Sequence, residues 1–309
     1  MHTHTRRKFL RLTGGLSASA LLLPTLGCGG NTNTDGESVE TIEENEREAE
    51  DTPGSLSSFG IQLYTLRDDM PGDPKGTLRR IAQMGYKQIE GYGGDQGIFW
   101  GMSPQEWKDY CDELGLNMVS CHVNIDDNLT EKAQQLASIG TKYAVCPYVG
   151  PQGSKAGWQA MVEKFNAAGK TCRDAGIGFA YHNHAYTFEE EDGIIPQAYL
   201  MDNTDDTVDY EMDIYWVVTG GGDPIEWLER YPNKWRLCHV KDRDKTAAPD
   251  EHEASVDLGT GSIDFPRVLA VADRVGMEYY ILEQENYPNG TPLESAEAGA
   301  RYMETLKFA

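Results

Sequence analysis

The sequence predicts a single-domain (β/α)8 barrel, in which eight parallel strands form a closed ring with helices outside it. From Phe59 onward, short apolar runs alternate with amphipathic stretches, the pattern of repeated strand–helix units. The strand candidates number eight, the number that closes this type of barrel. Glycine also follows several predicted helix ends, where a left-handed residue commonly terminates a helix.

The predicted strands are short and mostly apolar, and they cover residues 59–63, 88–91, 117–122, 143–147, 177–181, 208–212, 235–239 and 279–283. The predicted helices lie between and after them, at residues 74–84, 104–114, 130–139, 156–175, 195–201, 224–230, 265–275 and 293–306. The glycines expected to end helices are Gly85, Gly115, Gly140, Gly176 and Gly276. Ser103 and Pro104 supply an N-cap and a first helical residue.

The alternative to a closed barrel is a doubly wound open sheet. Such a sheet usually carries a glycine-rich phosphate-binding loop directly after its first strand. The first predicted strand is followed by Tyr64-Thr65-Leu66-Arg67, which is not a loop of that kind. The sequence therefore favours the barrel.

Residues 1–28 have the features of an export signal. Arg6 and Arg7 stand in a charged start, and an apolar stretch rich in Gly, Ser, Ala and Leu follows at residues 12–26. This order is typical of a twin-arginine signal. Thr25-Leu26-Gly27-Cys28 resembles a lipoprotein cleavage box, which makes Cys28 the candidate for a lipid anchor. We expect an exported protein, in the periplasm or on the outer surface.

Residues 29–58 are expected to form a disordered acidic tether, and residues 59–309 the barrel. Nine acidic residues stand between Asp35 and Asp51 against Arg47, with too few apolar side chains to offset the entropy of ordering. The whole chain has a formal net charge of −23. Nucleic acid is therefore excluded as a partner, because phosphate binding depends on clustered Lys and Arg.

The six cysteines include no C-x-x-C pair, so neither a zinc knuckle nor a redox dithiol is predicted. Apart from Cys28, they lie within or beside apolar runs. We expect these five to behave as small buried apolar residues.

Ionisable side chains mark the ends of six of the eight predicted strands: Glu90, His122, His182 with His184, Asp213, His239 with Lys241 and Asp242, and Glu283 with Glu285. Any one of them has a plain structural explanation as a helix cap or a hydrogen-bonded core histidine. The barrel fold, however, brings the C-terminal ends of its strands to one cavity. Several carboxylates and imidazoles buried together are costly without a cation, so we predict a divalent metal.

Oxygen and nitrogen ligands without a thiolate suit Mn²⁺, Mg²⁺, Co²⁺ or Zn²⁺. A bound ion would polarise a carbonyl or hydroxyl and stabilise the charge left when a proton leaves the adjacent carbon. A nearby carboxylate or histidine would move that proton. The site therefore predicts proton chemistry next to a carbonyl.

With these motifs in order, the chain resembles the xylose isomerase-like barrel superfamily, known broadly as sugar phosphate isomerases and epimerases. The resemblance runs from about Phe59 to Leu306. It rests on Tyr181-His182-Asn183-His184, Tyr210-Glu211-Met212-Asp213-Ile214-Tyr215-Trp216, Cys238-His239-Val240-Lys241-Asp242, Gly259-Thr260-Gly261-Ser262-Ile263-Asp264-Phe265 and Leu282-Glu283-Gln284-Glu285.

The resemblance implies metal ligands Glu, Asp, His and Glu from strands 5 to 8, with both Glu residues also moving protons. Asp213, His239 and Glu283 match the last three, whereas strand 5 carries His182-Asn183-His184 in place of the Glu. Residues 182 and 184 point to the same face of a strand. One imidazole can therefore bind the metal while the other acts as base.

The resulting assignments fall into three groups. The predicted metal ligands are Asp213, His239, Glu283 and His182. The predicted catalytic residues are Glu283, His184, His182 and Lys241. The predicted substrate contacts are Glu90, His122, Asn124 and Trp216, and Asp242 is expected to orient His239.

The predicted function is a metal-dependent isomerase or epimerase that removes a proton next to the carbonyl of a sugar or keto-sugar. The Tyr-His-Asn-His variant is similar to a branch linked to inosose dehydratases and to enzymes that cleave 3-keto-glycosides by β-elimination, so a lyase stays open. A non-catalytic surface barrel that binds carbohydrate is the other alternative, since the strand-5 Glu is missing. The acidic charge argues against the nuclease branch of this barrel.

Overall fold

The computed structural model describes residues 54–308, and their central feature is a closed barrel of eight parallel strands. Each strand pairs with the next along the chain, and the last also pairs with the first. The predicted fold is thereby confirmed. The strands are β1 (Gly60–Gln62), β2 (Gln88–Tyr92), β3 (Asn117–His122), β4 (Tyr143–Cys146), β5 (Gly178–His182), β6 (Val208–Asp213), β7 (Trp235–Val240) and β8 (Tyr279–Leu282).

The helices surround this ring, and those predicted differ from their expected bounds by at most two residues. They are α1 (Pro74–Gln83), α2 (Pro104–Leu114), α3 (Leu129–Ser138), α4 (Lys155–Ala175), α5 (Pro196–Asn203), α6 (Ile214–Thr219), α7 (Pro224–Arg230), α8 (Phe265–Arg274) and α9 (Pro292–Thr305). The short helix α6 is the one that the sequence pattern did not predict.

The ends of α2 illustrate why the helix boundaries could be predicted. Ser103 and Glu106 form a reciprocal capping box at its start, with Pro104 as the first helical residue. Gly115 ends the helix at φ 68°, a left-handed conformation that glycine adopts without steric cost. Gly176 ends α4 in the same way, at φ 90°.

An apolar layer fills the barrel beneath the C-terminal ends of the strands. It includes Ala180, Leu237 and Ile281, all fully buried. Because alternate residues of a strand share a face, the next inward positions are His182, His239 and Glu283. Alternation thus places a polar layer directly above the apolar one, at the end of the barrel where active sites form.

The folded chain begins earlier than the predicted Phe59. The two-residue strands Gly54–Ser55 and Lys307–Phe308 pair antiparallel, which joins the two ends of the described chain. Backbone hydrogen bonds therefore hold a segment that its polar composition had assigned to the tether. The predicted signal, Cys28 and the acidic run all lie outside the described residues.

Within residues 54–308, no helix has both the length and the apolar character needed to cross a membrane. The five cysteines of this part of the chain are buried and free, as expected: Cys111, Cys121, Cys146, Cys172 and Cys238.

Candidate metal centre

Four side chains from adjacent strand ends meet in what we call the donor cluster: His182, Asp213, His239 and Glu283. Each offers one nitrogen or oxygen atom, and these atoms lie within 4.8 Å of one another. All four residues are buried. The structure therefore brings together the four residues that the sequence predicted as metal ligands.

A backbone carbonyl orients His182 within the cluster. Its Nδ1 lies 3.2 Å from the carbonyl oxygen of Pro147, at the end of β4. A carbonyl can only accept a hydrogen bond, so Nδ1 carries a proton. The other ring nitrogen, Nε2, faces the donor cluster.

A buried carboxylate orients His239 in the same manner. Its Nε2 lies 2.7 Å from Oε1 of Glu90. Although burial opposes ionisation, His122 and His239 hold the pKa of Glu90 well below its usual range. An ionised carboxylate only accepts, so Nε2 of His239 carries a proton, and Nδ1 is the nitrogen that faces the donor cluster.

The two ring nitrogens that face the donor cluster, Nε2 of His182 and Nδ1 of His239, lie only 3.1 Å apart. Burial opposes a positive charge on His239, but Glu211 and Glu283 outweigh this effect and raise the pKa of His239 well above its usual value. Two lone pairs at this distance would repel unless a proton or a metal ion lay between them. This pair is the strongest sign that the cluster is built for a cation.

Asp213 supplies a carboxylate oxygen to the same point. Its Oδ1 accepts from the backbone N–H of Trp216 and caps α6, at 2.9 Å. Its Oδ2 lies 3.4 Å from Nε2 of His182 but has no hydrogen-bond partner among the described residues. The side chain of Asn183 contacts both the N–H and the carbonyl of Asp213, which fixes the end of β6.

The spacing of the donors fits a small divalent ion. Ligands at about 2.0–2.2 Å in tetrahedral geometry stand about 3.3–3.6 Å apart. Asp213 Oδ2 and Glu283 Oε2 lie 3.6 and 3.3 Å from Nδ1 of His239. The donors are nitrogen and carboxylate oxygen without sulfur, a set that suits the ions predicted from the sequence.

Next to the donor cluster lies a second group of side chains, the inner network, made of the buried Gln62, Glu90 and Glu211 and the partly buried His122. Gln62 donates to Glu90 at 2.7 Å, and Nε2 of His122 lies 3.0 Å from both Glu90 and Glu211. The strand register shifts at Glu90 and again at Glu211. Such irregularities redirect side chains next to functional sites.

Three members of the inner network, Glu90, His122 and Glu211, also lie with His239 so that four potential ligand atoms are within 4.8 Å of one another. Their shortest contacts, however, are at hydrogen-bond distances, and Nε2 of His239 is already committed to Glu90. We therefore assign the inner network to holding His239. Sequence reasoning missed Gln62 and Glu211, although Glu211 stands two residues before Asp213 and so shares its inward face.

Lys241 is a fully buried cation beside the donor cluster. Its Nζ lies 3.2 Å from Glu283, 3.8 Å from Asp213, and in direct contact with Glu285. Burial alone would lower its pKa, but these three carboxylates raise the pKa of Lys241 above its usual value. The ammonium group therefore stays protonated and supplies a fixed positive charge.

His184 points toward the cavity above the cluster. Its ring packs against Trp216 at a centroid distance of 5.2 Å, and its Nδ1 has no hydrogen-bond partner within the described residues. Burial, together with His182, lowers the pKa of His184 well below its usual value. The ring is therefore neutral, with a nitrogen that can accept a hydrogen bond.

A cavity of about 1160 Å³ opens above the donor cluster. Its lining includes residues predicted to act on or bind substrate: His122, Asn124, His182, His184, Trp216 and Glu283. Asn124 lies in the exposed rim, where its side chain caps the turn at Asp126. Trp216 lies in α6. Glu90 does not line the cavity, because it is fully buried in the inner network.

The prediction that Asp242 orients His239 was wrong. Its carboxylate instead accepts from the backbone N–H groups of Arg243, Gly259, Gly261 and Ile263 at 2.9–3.1 Å. Four N–H donors meet at this side chain because β7 ends at Val240 and the segment that follows turns back over Asp242. Asp242 therefore holds the loop before α8, and Glu90 orients His239.

A (β/α)8 barrel with buried imidazole and carboxylate donors at the ends of its strands has the architecture of a barrel enzyme. Residues 78–306 match the family described as xylose isomerase-like TIM barrel. Because this match covers most of the chain, the chain belongs to the xylose isomerase-like TIM barrel family.

Several relatives are named inosose dehydratase. The protein of Geobacillus kaustophilus is 23% identical over 290 residues, covering 78% of this chain and 91% of the relative. That of Clostridium perfringens is 28% identical over 162 residues, covering 48% of this chain. The matched stretch spans only about half, 54%, of the Clostridium relative.

Among solved structures, a sugar phosphate isomerase/epimerase from Parabacteroides distasonis superposes with a TM-score of 0.71 at 28% identity. The match covers 80% of this chain and 94% of that one. A probable 3-DHS dehydratase from Bacillus anthracis has a TM-score of 0.61 at 12% identity, which supports the fold alone. The names of these relatives include both isomerases and dehydratases.

Proposed function

We propose that this barrel is a divalent-cation-dependent enzyme that removes a proton from the carbon next to the carbonyl of a sugar or keto-sugar. The observation that carries the proposal is the pair of facing ring nitrogens of His182 and His239, 3.1 Å apart, with the unpartnered Oδ2 of Asp213 beside them. Glu283 completes the set and lines the cavity. A cation held there would polarise the carbonyl and stabilise the negative charge that develops on its oxygen.

The remaining roles follow from position and charge. Lys241 stays protonated against Glu283 and stabilises negative charge that develops on the substrate. His184 and Glu283 both face the cavity beside the cluster, and each can accept the proton from carbon. Glu283 has this second role in addition to binding the cation.

Two outcomes follow from the same proton removal. If the proton returns to a neighbouring carbon or to the opposite face, the product is an isomer or an epimer. If a group on the next carbon leaves with its bonding electrons, a carbon–carbon double bond forms, and loss of hydroxide together with the proton amounts to dehydration. Relatives named inosose dehydratase favour this second outcome, which remains a candidate beside the first.

Isotope exchange tests the proposal. The full-length protein, loaded with Mn²⁺, is incubated in D₂O with free ketoses and with 3-keto-glucosides, and the products are followed by mass spectrometry. Deuterium incorporation without cleavage supports isomerisation or epimerisation, whereas release of water or of an aglycone supports elimination. Exchange should be lost in Glu283→Gln and retained in Glu113→Gln, an exposed control on α2. No exchange with any substrate would contradict the proposal and favour a carbohydrate-binding barrel.

We also propose that the enzyme works outside the cytoplasm, anchored through Cys28. Support comes from the twin-arginine pattern and the cleavage box in the sequence. Cells expressing the full chain with an alkyne-labelled fatty acid should label the protein, and Cys28→Ala should remove the label. Equal labelling of both chains would contradict the anchor.

A further inference from the structure

The rim of the cavity carries exposed aromatic side chains. Among the described residues, the large apolar side chains that are strongly exposed are Tyr64, at 40%, and Tyr148, at 59%. Both line the cavity above the donor cluster. Single exposed apolar residues are ordinary on protein surfaces, but their coincidence at one cavity marks a binding surface.

A series of rings leads from the donor cluster to Tyr148. The His182 and His184 rings are 4.9 Å apart between centroids, and those of His184 and Tyr148 are 5.2 Å apart. Trp216 flanks His184 on the same wall. Tyr148 therefore lies two ring-to-ring steps from His182, with His184 between them, at the outer end of this series.

The loop that carries Tyr148 is fixed in place. The hydroxyl of Tyr186 accepts from the backbone N–H of Gly150 at 3.1 Å and bonds Tyr181 at 3.1 Å. The ring of Tyr148 also meets the rings of His184 and Tyr186 at near-perpendicular angles of 83° and 82°. Tyr148 is thus oriented before any ligand arrives, which lowers the entropic cost of stacking against it.

The size and polarity of the cavity indicate what lies against Tyr148. Its volume of about 1160 Å³ exceeds the range of about 300–1,000 Å³ for sites that hold drug-sized ligands, and a monosaccharide is smaller than these. Polar side chains interleave with the aromatic ones at the rim, including Asn124, Asp126 and Lys164. An aromatic face with hydrogen-bonding groups around it suits a second sugar ring better than a lipid chain.

We propose that the cavity has an outer subsite in which Tyr148 stacks against a second pyranose, joined by a glycosidic bond to the ring held at the donor cluster. The substrate class is therefore a disaccharide or a similar glycoside rather than a free monosaccharide. This inference rests on the proposed function for the position of the inner ring, and Tyr148 determines specificity for the outer one.

Binding to the full-length protein loaded with Mn²⁺ tests the subsite independently of turnover. Glucose is compared with maltose, cellobiose and trehalose by saturation-transfer NMR and titration calorimetry. At least one disaccharide should bind about tenfold more tightly than glucose, since stacking on the ring of Tyr148 and hydrogen bonds at the rim add to the affinity. Tyr148→Ala should remove the preference and leave glucose binding unchanged.

Two variants make the comparison specific. Tyr148→Phe keeps the ring and should keep the preference, and Tyr110→Ala, on α2 away from the cavity, should behave as the parent. The subsite would be overturned, even if isotope exchange occurs, by disaccharides that bind no more tightly than glucose. It would also be overturned if Tyr148→Ala weakened the binding of glucose and of the disaccharide equally. A retained disaccharide preference without exchange would uphold the subsite and overturn the proposed reaction instead.

Discussion

His239 joins the two polar groups of the barrel. Its Nε2 faces Glu90 of the inner network at 2.7 Å, and its Nδ1 faces the donor cluster, 3.3 Å from Glu283. Glu90 in turn accepts from Gln62, at the end of β1. The ring nitrogen that faces the donor cluster is therefore determined by a carboxylate on β2, a strand that carries none of the four donors.

Replacing Glu90 with glutamine should weaken cation binding without removing a ligand. The neutral amide is nearly the same size but no longer holds the proton of His239 on Nε2 by its charge, and groups that orient ligating histidines contribute about 10–100-fold to metal affinity. Calorimetric titration of Mn²⁺ into the metal-free Glu90→Gln protein should show a loss of that size. Glu113→Gln, an exposed change on α2, should bind as the parent, and equal affinities for all three proteins would refute the role of Glu90.

Among the individual residues, the sequence predicted the metal ligands but not the side chains that hold those ligands in place. Asp213, His239 and Glu283 could be found because each stands where an apolar strand ends, at a position that the barrel fold sends to one cavity. Gln62 and Glu211 could not be assigned, because their contacts depend on strand pairing and on the register shifts next to Glu90 and Glu211. Asp242 was misassigned because closeness in sequence to His239 says nothing of where its carboxylate points.

At the scale of elements, β6 and α6 share one residue. Asp213 ends the strand and, through Oδ1, caps the helix that follows immediately, while Oδ2 belongs to the donor cluster. The helix α6 was not predicted because its residues before Thr219 are apolar and partly β-branched, without the polar face that marks an amphipathic helix. Longer helices such as α8 have both a cap and such a face, and they were predicted.

The loop before α8 depends on glycine at position 261. A Cβ atom there would lie 2.3 Å from the backbone oxygen of Arg243 and 2.3 Å from the carboxylate of Asp242. Gly261→Ala should therefore force the loop off Asp242 and lower the free energy of unfolding by about 1–3 kcal/mol. Urea denaturation followed by circular dichroism measures this loss.

The matched control is Gly72→Ala, where the nearest atom would be 3.8 Å from the new Cβ. This change should leave stability within about 0.5 kcal/mol of the parent, as ordinary surface substitutions do. If Gly261→Ala were as stable as Gly72→Ala, the loop would not be held as described.

At the scale of the whole molecule, the barrel concentrates negative charge at one end of its interior. Glu90, Glu211, Asp213 and Glu283 are all buried there, with Lys241 as the buried ammonium group beside them. The pocket raises the pKa of His239 well above its usual value, since Glu211 and Glu283 overcome the effect of burial. An interior that draws positive charge in this way should be more stable with a cation bound.

Removal of the cation should therefore lower the melting temperature. A ligand at about one hundred times its Kd stabilises the folded state by about 2.7 kcal/mol, which corresponds to a fall of about 5–10 °C on chelation for a domain of this size. Differential scanning fluorimetry with and without EDTA measures the shift. The variant Asp213→Asn keeps the cap of α6 but removes the charged ligand. In this variant EDTA should not change the melting temperature. The same fall in melting temperature as in the parent would place the bound cation elsewhere.

The central claim is that His182, Asp213, His239 and Glu283 close around one cation. Anomalous diffraction from crystals of the Mn²⁺-loaded protein tests it most directly. The account predicts one strong anomalous peak within about 2.0–2.3 Å of Nε2 of His182, Nδ1 of His239 and the carboxylates of Asp213 and Glu283. A cluster without such a peak in crystals that contain the metal, or a peak held by other side chains, would contradict it.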